Sequence, residues 1–219
     1  MGMVGLVHTT RLVVEPVHKA VTAHCPEIDF NHVMDEGILR RLAAQGSITP
    51  EIIQWLTGMV ASTQEIGAEL AVVSCSSLSP CVNDVQERLS IPVLKIDEPM
   101  MEHAIKHGDS IGLVMTNPTT EKPSTLLFDQ VAKRLGRDVR LVPRLCPDAF
   151  AKLNQGDISS HDDEVCEVVE ALLAEADVVM LAQISIARVR EKLDPAFSGR
   201  VFSSLDFIGQ KIREILDSR

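Results

Sequence analysis

The two halves of this chain repeat one another, and that constrains the fold more than any other feature of the sequence. GLVHT at 5–9 is echoed by GLVMT at 112–116, an offset of 107. AELAVVSCSS at 68–77 is echoed by ADVVMLAQIS at 176–185, an offset of 108, and Asp97 by Asp206, an offset of 109. Three landmarks in one order at a nearly constant offset imply a duplicated supersecondary unit. Within each copy, short apolar β-branched runs alternate with longer amphipathic stretches, the pattern of a parallel sheet covered by helices. Strands are expected at 3–8, 28–33, 70–75 and 92–96, then at 111–116, 139–145, 177–183 and 200–204. The clearest helical stretches are 50–67, 122–135, 160–175 and 206–217. In the third of these, Val165, Val168, Val169, Leu172 and Leu173 make an apolar stripe, and Asp162, Asp163 and Glu164 suit an N-terminal dipole.

The expected architecture is therefore α/β: two pseudo-symmetric lobes, each a mostly four-stranded parallel sheet flanked by helices, with the active site between them. The boundaries read as 1–98 for the first lobe, 99–205 for the second, and 206–219 for a C-terminal helix packing back on the lobes. In open α/β sheets ligands gather at the carboxyl ends of the strands. Residues just after equivalent strands, such as Cys75 and Gln183, are expected to approach one small molecule from opposite sides.

Composition narrows the partners. The net charge is −10 and the 21 Lys and Arg residues are scattered, so the basic footprint that nucleic acid requires is missing. Aromatic residues make up only 3% of the chain, too few for a base-stacking surface. No apolar run approaches the length needed to span a membrane. The opening MGMVGLVHTT lacks the charged start of an export signal, so a cytoplasmic location is expected. There the five cysteines are expected as reduced thiols. The spacing from Cys75 to Cys81 matches no zinc motif, and His103 and His107 lack a convergent third ligand, so no metal is expected.

Cys75 lies in SCSSLS, directly after an apolar strand and before a helix expected to start near Pro80. A helix start and its amide N–H groups pull a thiol toward thiolate. Free cysteines are usually buried and inert, yet Ser74, Ser76, Ser77 and Ser79 argue for polar surroundings here. Cys25, Cys146 and Cys166 lack such surroundings and read as packing residues, as does Cys81 on the following helix. Ser76 and Ser77 offer hydroxyls and amides to a carboxylate, a role compatible with helix capping. Thr116, Asn117, Thr119 and Thr120 occupy the matching place after the fifth strand, and His8, Thr9 and Thr10 after the first. His8 is a candidate acid–base group. His161 beside Asp162 and Asp163 reads as an acid-rich first helical turn. No phosphate loop, dinucleotide fingerprint or nucleophile elbow is present.

At SCSSLS and its partner LAQISIARV, with the opening GLVHTT and the segment MTNPTT, the chain resembles the aspartate/glutamate/hydantoin racemase superfamily over nearly its whole length. The resemblance implies isomerases of two similar α/β lobes that work without pyridoxal phosphate or any other cofactor, a cysteine from each lobe flanking the substrate α-carbon. It implies that Cys75 is the first-lobe cysteine, that Ser76 and Ser77 bind the substrate carboxylate, and that Thr116 and Thr119 also line the site; Thr9, Thr120 and Ser185 are further candidates for substrate binding. The departure is Gln183, which stands where the second thiol belongs. Glutamine has no useful pKa, so a two-thiol racemisation is not implied. Three functions stay open: a racemase or isomerase acting at the carbon alpha to a carboxylate, with His8 completing the cycle; a decarboxylase of the arylmalonate type, needing one thiol; and a binding protein for a small carboxylate. Arg11, Arg144 and Arg188 are equivalent candidates for substrate charge recognition. A homo-oligomer, by default a dimer, is the expected assembly.

Overall fold

A computed structural model describes residues 2–218. The chain divides into two compact units, one comprising residues up to Ile96 together with Phe207 onward, the other Asp97–Asp206. In the first unit, strands β1 (Met3–His8), β2 (Asp29–Met34), β3 (Leu70–Val73) and β4 (Val93–Lys95) alternate with helices α1 (Val14–His24), α2 (Gly37–Gln45), α3 (Pro50–Glu65) and α4 (Val82–Gln86). In the second, α5 (Glu98–His107), α6 (Glu121–Leu135), α7 (Pro147–Asn154) and α8 (Ile158–Leu173) alternate with β5 (Ser110–Met115), β6 (Arg140–Leu145), β7 (Val178–Leu181) and β8 (Val201–Ser203). Helix α9 (Ile208–Asp217) returns to the first unit, where it packs on α1. There Arg213 bonds to Glu27 and to the His24 carbonyl.

Both sheets are wholly parallel and share one strand order, β2-β1-β3-β4 and β6-β5-β7-β8. The repetition extends to single hydrogen bonds. The amide of Ser74 donates to the Val7 carbonyl as that of Ala182 does to Val114, and Asp35 donates to His8 as Cys146 does to Met115. The inner strands β3 and β7 are buried along their whole length, because helices cover both faces; hence their unbroken apolar sequence. The outer strands β2 and β6 are partly exposed, and Pro143 is tolerated in β6 because that strand lies at an edge.

Helix α3 shows how closely the layers approach. Pro50 begins it, after the extended Thr49, and Ile52, Leu56, Met59, Val60 and Thr63 form its buried face. Thr63 lies so near β1 that a Cβ at Gly5 would sit 2.4 Å from its hydroxyl oxygen and 2.5 Å from its Cβ. At the repeat-related Gly112 the nearest atom would be 3.1 Å away, the tip of Val179. Gly5→Ala should therefore destabilise the protein by about 1–3 kcal/mol through overpacking. Gly112→Ala should cost about 1 kcal/mol or less, because the added methyl meets a side-chain tip and alanine restrains the unfolded chain. Urea midpoints of the two variants check this, and equal losses would show that the close approach at Gly5 is not the cause.

Candidate active site

At the carboxyl end of the first sheet, β1 ends on His8, which is fully buried, and Thr9 is buried beside it in sequence. The His8 Nδ1 lies 2.8 Å from the Ser74 hydroxyl, and its Nε2 lies 2.9 Å from Nδ1 of His32. The His32 Nε2 in turn lies 3.0 Å from Nδ1 of His18. Burial first, and the neighbouring His32 second, push the His8 pKa down to about 4, so the ring is neutral at physiological pH. His32 is likewise shifted downward, by burial and then by His18, with Glu15 opposing.

Cys75 follows β3 in extended conformation and immediately precedes a 3-10 turn, Ser76–Cys81. The helix expected near Pro80 is α4, which begins at Val82, and the 3-10 turn containing Pro80 lies between it and Cys75. Cys75 retains 8% exposure whereas each β3 residue retains none. The flanking serines do not keep it out of the apolar interior: Cys75 belongs to the first unit's core cluster with Val73, Leu78 and Cys81, and Ser74, Ser76, Ser77 and Ser79 are themselves buried. The thiol of Cys81 is pushed up to about 12, chiefly by burial and then by Asp84, with a smaller contribution from Cys75. Its Sγ donates to the Leu78 carbonyl. Burial also pushes Cys146 up to about 11 and raises Cys25 and Cys166. No disulfide joins any of the five.

The second unit places Gln183 where the first has Cys75: extended, after β7, at the head of a 3-10 turn, Ile184–Glu191. Its Oε1 accepts from the Thr116 amide at 2.7 Å, the Thr116 hydroxyl at 3.1 Å and the Asn117 amide at 3.3 Å. Both donor groups of Thr116, expected from sequence to line the substrate site, are therefore already engaged by this side chain. Asn117 caps the 3-10 turn Pro118–Thr120, accepting from the amide and hydroxyl of Thr119, both at 3.0 Å. Thr120 is buried, and the Ser185 carbonyl accepts from Arg188 at 2.6 Å. With its oxygen held by three donors, Gln183 has only its amide N–H groups left to offer, and these neither take nor supply a proton in general acid–base fashion.

Sequence reasoning missed three features. His32 and His18 carry no local pattern, since only the β1–β2 pairing and the packing of α1 bring them to His8. Lys95, at the end of β4 and in register with Val73, is a buried lysine. Of the three arginines expected to compete for substrate charge, Arg11 and Arg144 instead make surface pairs with Glu36 and Glu175. The third, Arg188, grips Asp162 through Nε at 3.1 Å and Nη2 at 2.7 Å, and His161 donates to the same carboxylate at 2.7 Å. Burial alone would raise Asp162, but these bonds outweigh it and hold the carboxyl below its usual range. The reading of His161 as part of an acid-rich first turn fails because α8 begins at Ile158, capped by Asp157, which accepts from the Ser160 amide. His103 and His107 stack along α5, and His107 donates to the His103 carbonyl. Among the described residues no group of three or more His, Cys, Asp or Glu side chains is arranged to hold a metal ion, and no helix is long and apolar enough to cross a membrane.

The sequence model described as "Asp/Glu/Hydantoin racemase" matches residues 3–210. No curated protein sequence matches the chain. Among solved structures, glutamate racemase isoform RacE1 from Bacillus anthracis superposes with a TM-score of 0.76 at 18% identity, over 99% of this chain and 82% of its own. Allantoin racemase from Klebsiella pneumoniae gives 0.72 at 15% identity, over 99% and 88%. An aspartate racemase homologue from Pyrococcus horikoshii gives 0.72 at 14% identity, over 98% and 99%. At these identities the likeness is one of fold: α/β units of the racemase type.

Proposed function

The chain belongs to the Asp/Glu/Hydantoin racemase family, and on that premise we propose that it is a cofactor-independent isomerase acting at the carbon alpha to the carboxylate of a small amino acid or diacid, with the Cys75 thiolate as its base. The observation that carries this reading is the inequality of two equivalent positions. Cys75 and Gln183 each head a 3-10 turn after the third strand of a repeated unit, yet only one can exchange a proton. The family scheme is thereby reduced to one thiol. His8, bonded to the serine preceding Cys75, is the group that completes the cycle.

In this mechanism Cys75 removes the α-proton, and the charge that builds on the carboxylate is met by Thr9, Ser76 and Ser77. Donors already in place when charge develops lower the barrier most, because nothing has to reorient at the moment of reaction. Gln183 moves no proton; it orders the Thr116–Asn117 turn. A single thiol is also sufficient for a decarboxylation, in which loss of carboxylate forms the enediolate and the thiol only reprotonates it.

Incubation with D and L amino acids, hydroxy acids and substituted malonates in heavy water distinguishes the outcomes by NMR. Deuterium entry at the α-carbon with inversion supports a racemase whose second proton comes from a group other than a thiol, and entry with retention supports one-base exchange. Release of carbon dioxide identifies the decarboxylase. Saturable binding with neither exchange nor decarboxylation would overturn the enzymatic reading in favour of a carboxylate-binding protein.

A further inference from the structure

Three histidines from three elements form an unbroken line of hydrogen bonds in the first unit. The sheet pleat puts His8 and His32 on one face, since Leu6 pairs with His32 and His8 with Met34, and α1 lays His18 over that face. His8 is fully buried, while His32 and His18 are each half-buried. The rings of His8 and His32 stack with centroids 5.2 Å apart, and those of His32 and His18 are 5.1 Å apart. His32 uses its two opposite nitrogens, one toward each neighbour. The rings are therefore strung in series rather than converging on a point, which is the geometry of proton conduction and not of metal binding.

Counting hydrogens along the line gives a sharper result. A neutral imidazole carries one N–H and a serine one O–H, so only two arrangements make all three bonds that link the four residues. In one, each ring is protonated at Nδ1: His18 donates to His32, His32 to His8, His8 to Ser74, and Ser74 to the Val7 carbonyl 3.1 Å away. In the other, Ser74 donates to His8 and each ring is protonated at Nε2, leaving the His18 Nε2–H facing outward along the line. The two arrangements differ by the passage of one proton from end to end.

We propose that Ser74, His8, His32 and His18 are a proton wire that connects the buried strand end carrying Cys75 with the outer face of α1. When a proton enters at Nε2 of His18, that ring passes its Nδ1 proton to Nε2 of His32. His32 does the same to His8, and His8 to the Ser74 hydroxyl, which releases its own hydrogen to an anionic acceptor. Each ring gains one hydrogen and loses one, and none remains charged. On the Cys75 reading above, the acceptor is the Cys75 thiolate left once that thiol has given its own proton to the substrate carbon.

The test reads the rings directly, on the full chain labelled with 15N-histidine at neutral pH and without substrate. Long-range 1H–15N spectra should show His8, His32 and His18 in the same tautomer. Despite its burial, the His8 ring N–H should exchange rapidly with water. His32→Phe should slow that exchange on the order of tenfold or more, leaving only local opening as a route. His18→Phe, on the outer element, should do the same where the first substitution disturbs folding. Opposite tautomers at His8 and His32, or His8 exchange unchanged in a folded variant of either kind, would overturn the wire. Because no turnover enters these measurements, that outcome leaves the Cys75 reading intact, and an inert Cys75 leaves the wire intact.

Discussion

Replacing Cys75 by Ala or Ser should abolish α-carbon exchange, lowering it by about 10³-fold or more, the scale on which a principal acid–base or nucleophilic group contributes. The difficulty is that Cys75 is also a buried residue of the core cluster, so inactivity alone would not separate chemistry from unfolding. Cys81 supplies the control, since it lies in the same cluster and is buried at least as deeply. Its thiol is held protonated by a pKa near 12 and donates only to a backbone carbonyl. Each Cys→Ala change removes one sulfur from a packed interior and should cost a similar 1–2 kcal/mol, roughly, in a urea titration. Turnover should part them completely, with Cys81→Ala keeping activity within a few-fold. Full activity in Cys75→Ala would sink the mechanism. Equal inactivity of both variants would mean that the cluster, and not the thiolate, had been tested.

Much of this architecture is written locally, and the reasons are physical. Strands covered on both faces must be apolar throughout, so LAVV and VVML declare themselves without any alternation to decode. The repeat is visible because Gly5 and Gly112 occupy equivalent positions where a helix or a strand neighbour crowds the backbone. Tertiary geometry is what the sequence does not spell. HDDEV reads as helix-start acids only while the start is misplaced; once Asp157 caps the helix, Asp162 turns inward to Arg188 in a segment 26 residues further along. The helix expected near Pro80 does begin close by, at Val82, but the 3-10 turn that precedes it from Ser76 has no periodic pattern to announce it. Likewise His18 and His32 look like ordinary surface histidines until parallel pairing and α1 align them with His8.

Acidification should destabilise the protein in a window that His8 defines. In the unfolded chain this histidine takes up a proton as pH falls through its ordinary value of 6.5, whereas the buried ring resists until about pH 4. Between those limits the unfolded state binds more protons than the native state, so stability rises with pH across the window and is lost on descending it. A downward shift from 6.5 to about 4 corresponds to at most about 3 kcal/mol. That loss begins near pH 6.5, is complete near pH 4 and grows no further below, where both states are protonated. His32, shifted the same way, contributes in the same direction. Depressed carboxylates such as Asp162 act separately, since their contribution fades only when pH falls through their own lowered values, below the usual 3.8. Urea midpoints between pH 7 and 4 should therefore fall steeply for the native sequence. They should fall much less for His8→Asn, which keeps a donor near the Ser74 hydroxyl but cannot titrate. Parallel slopes for the two proteins would mean that the His8 ring is protonated as readily in the folded chain as in the unfolded one. The neutral ring on which both tautomer arrangements of the wire depend would then be lost.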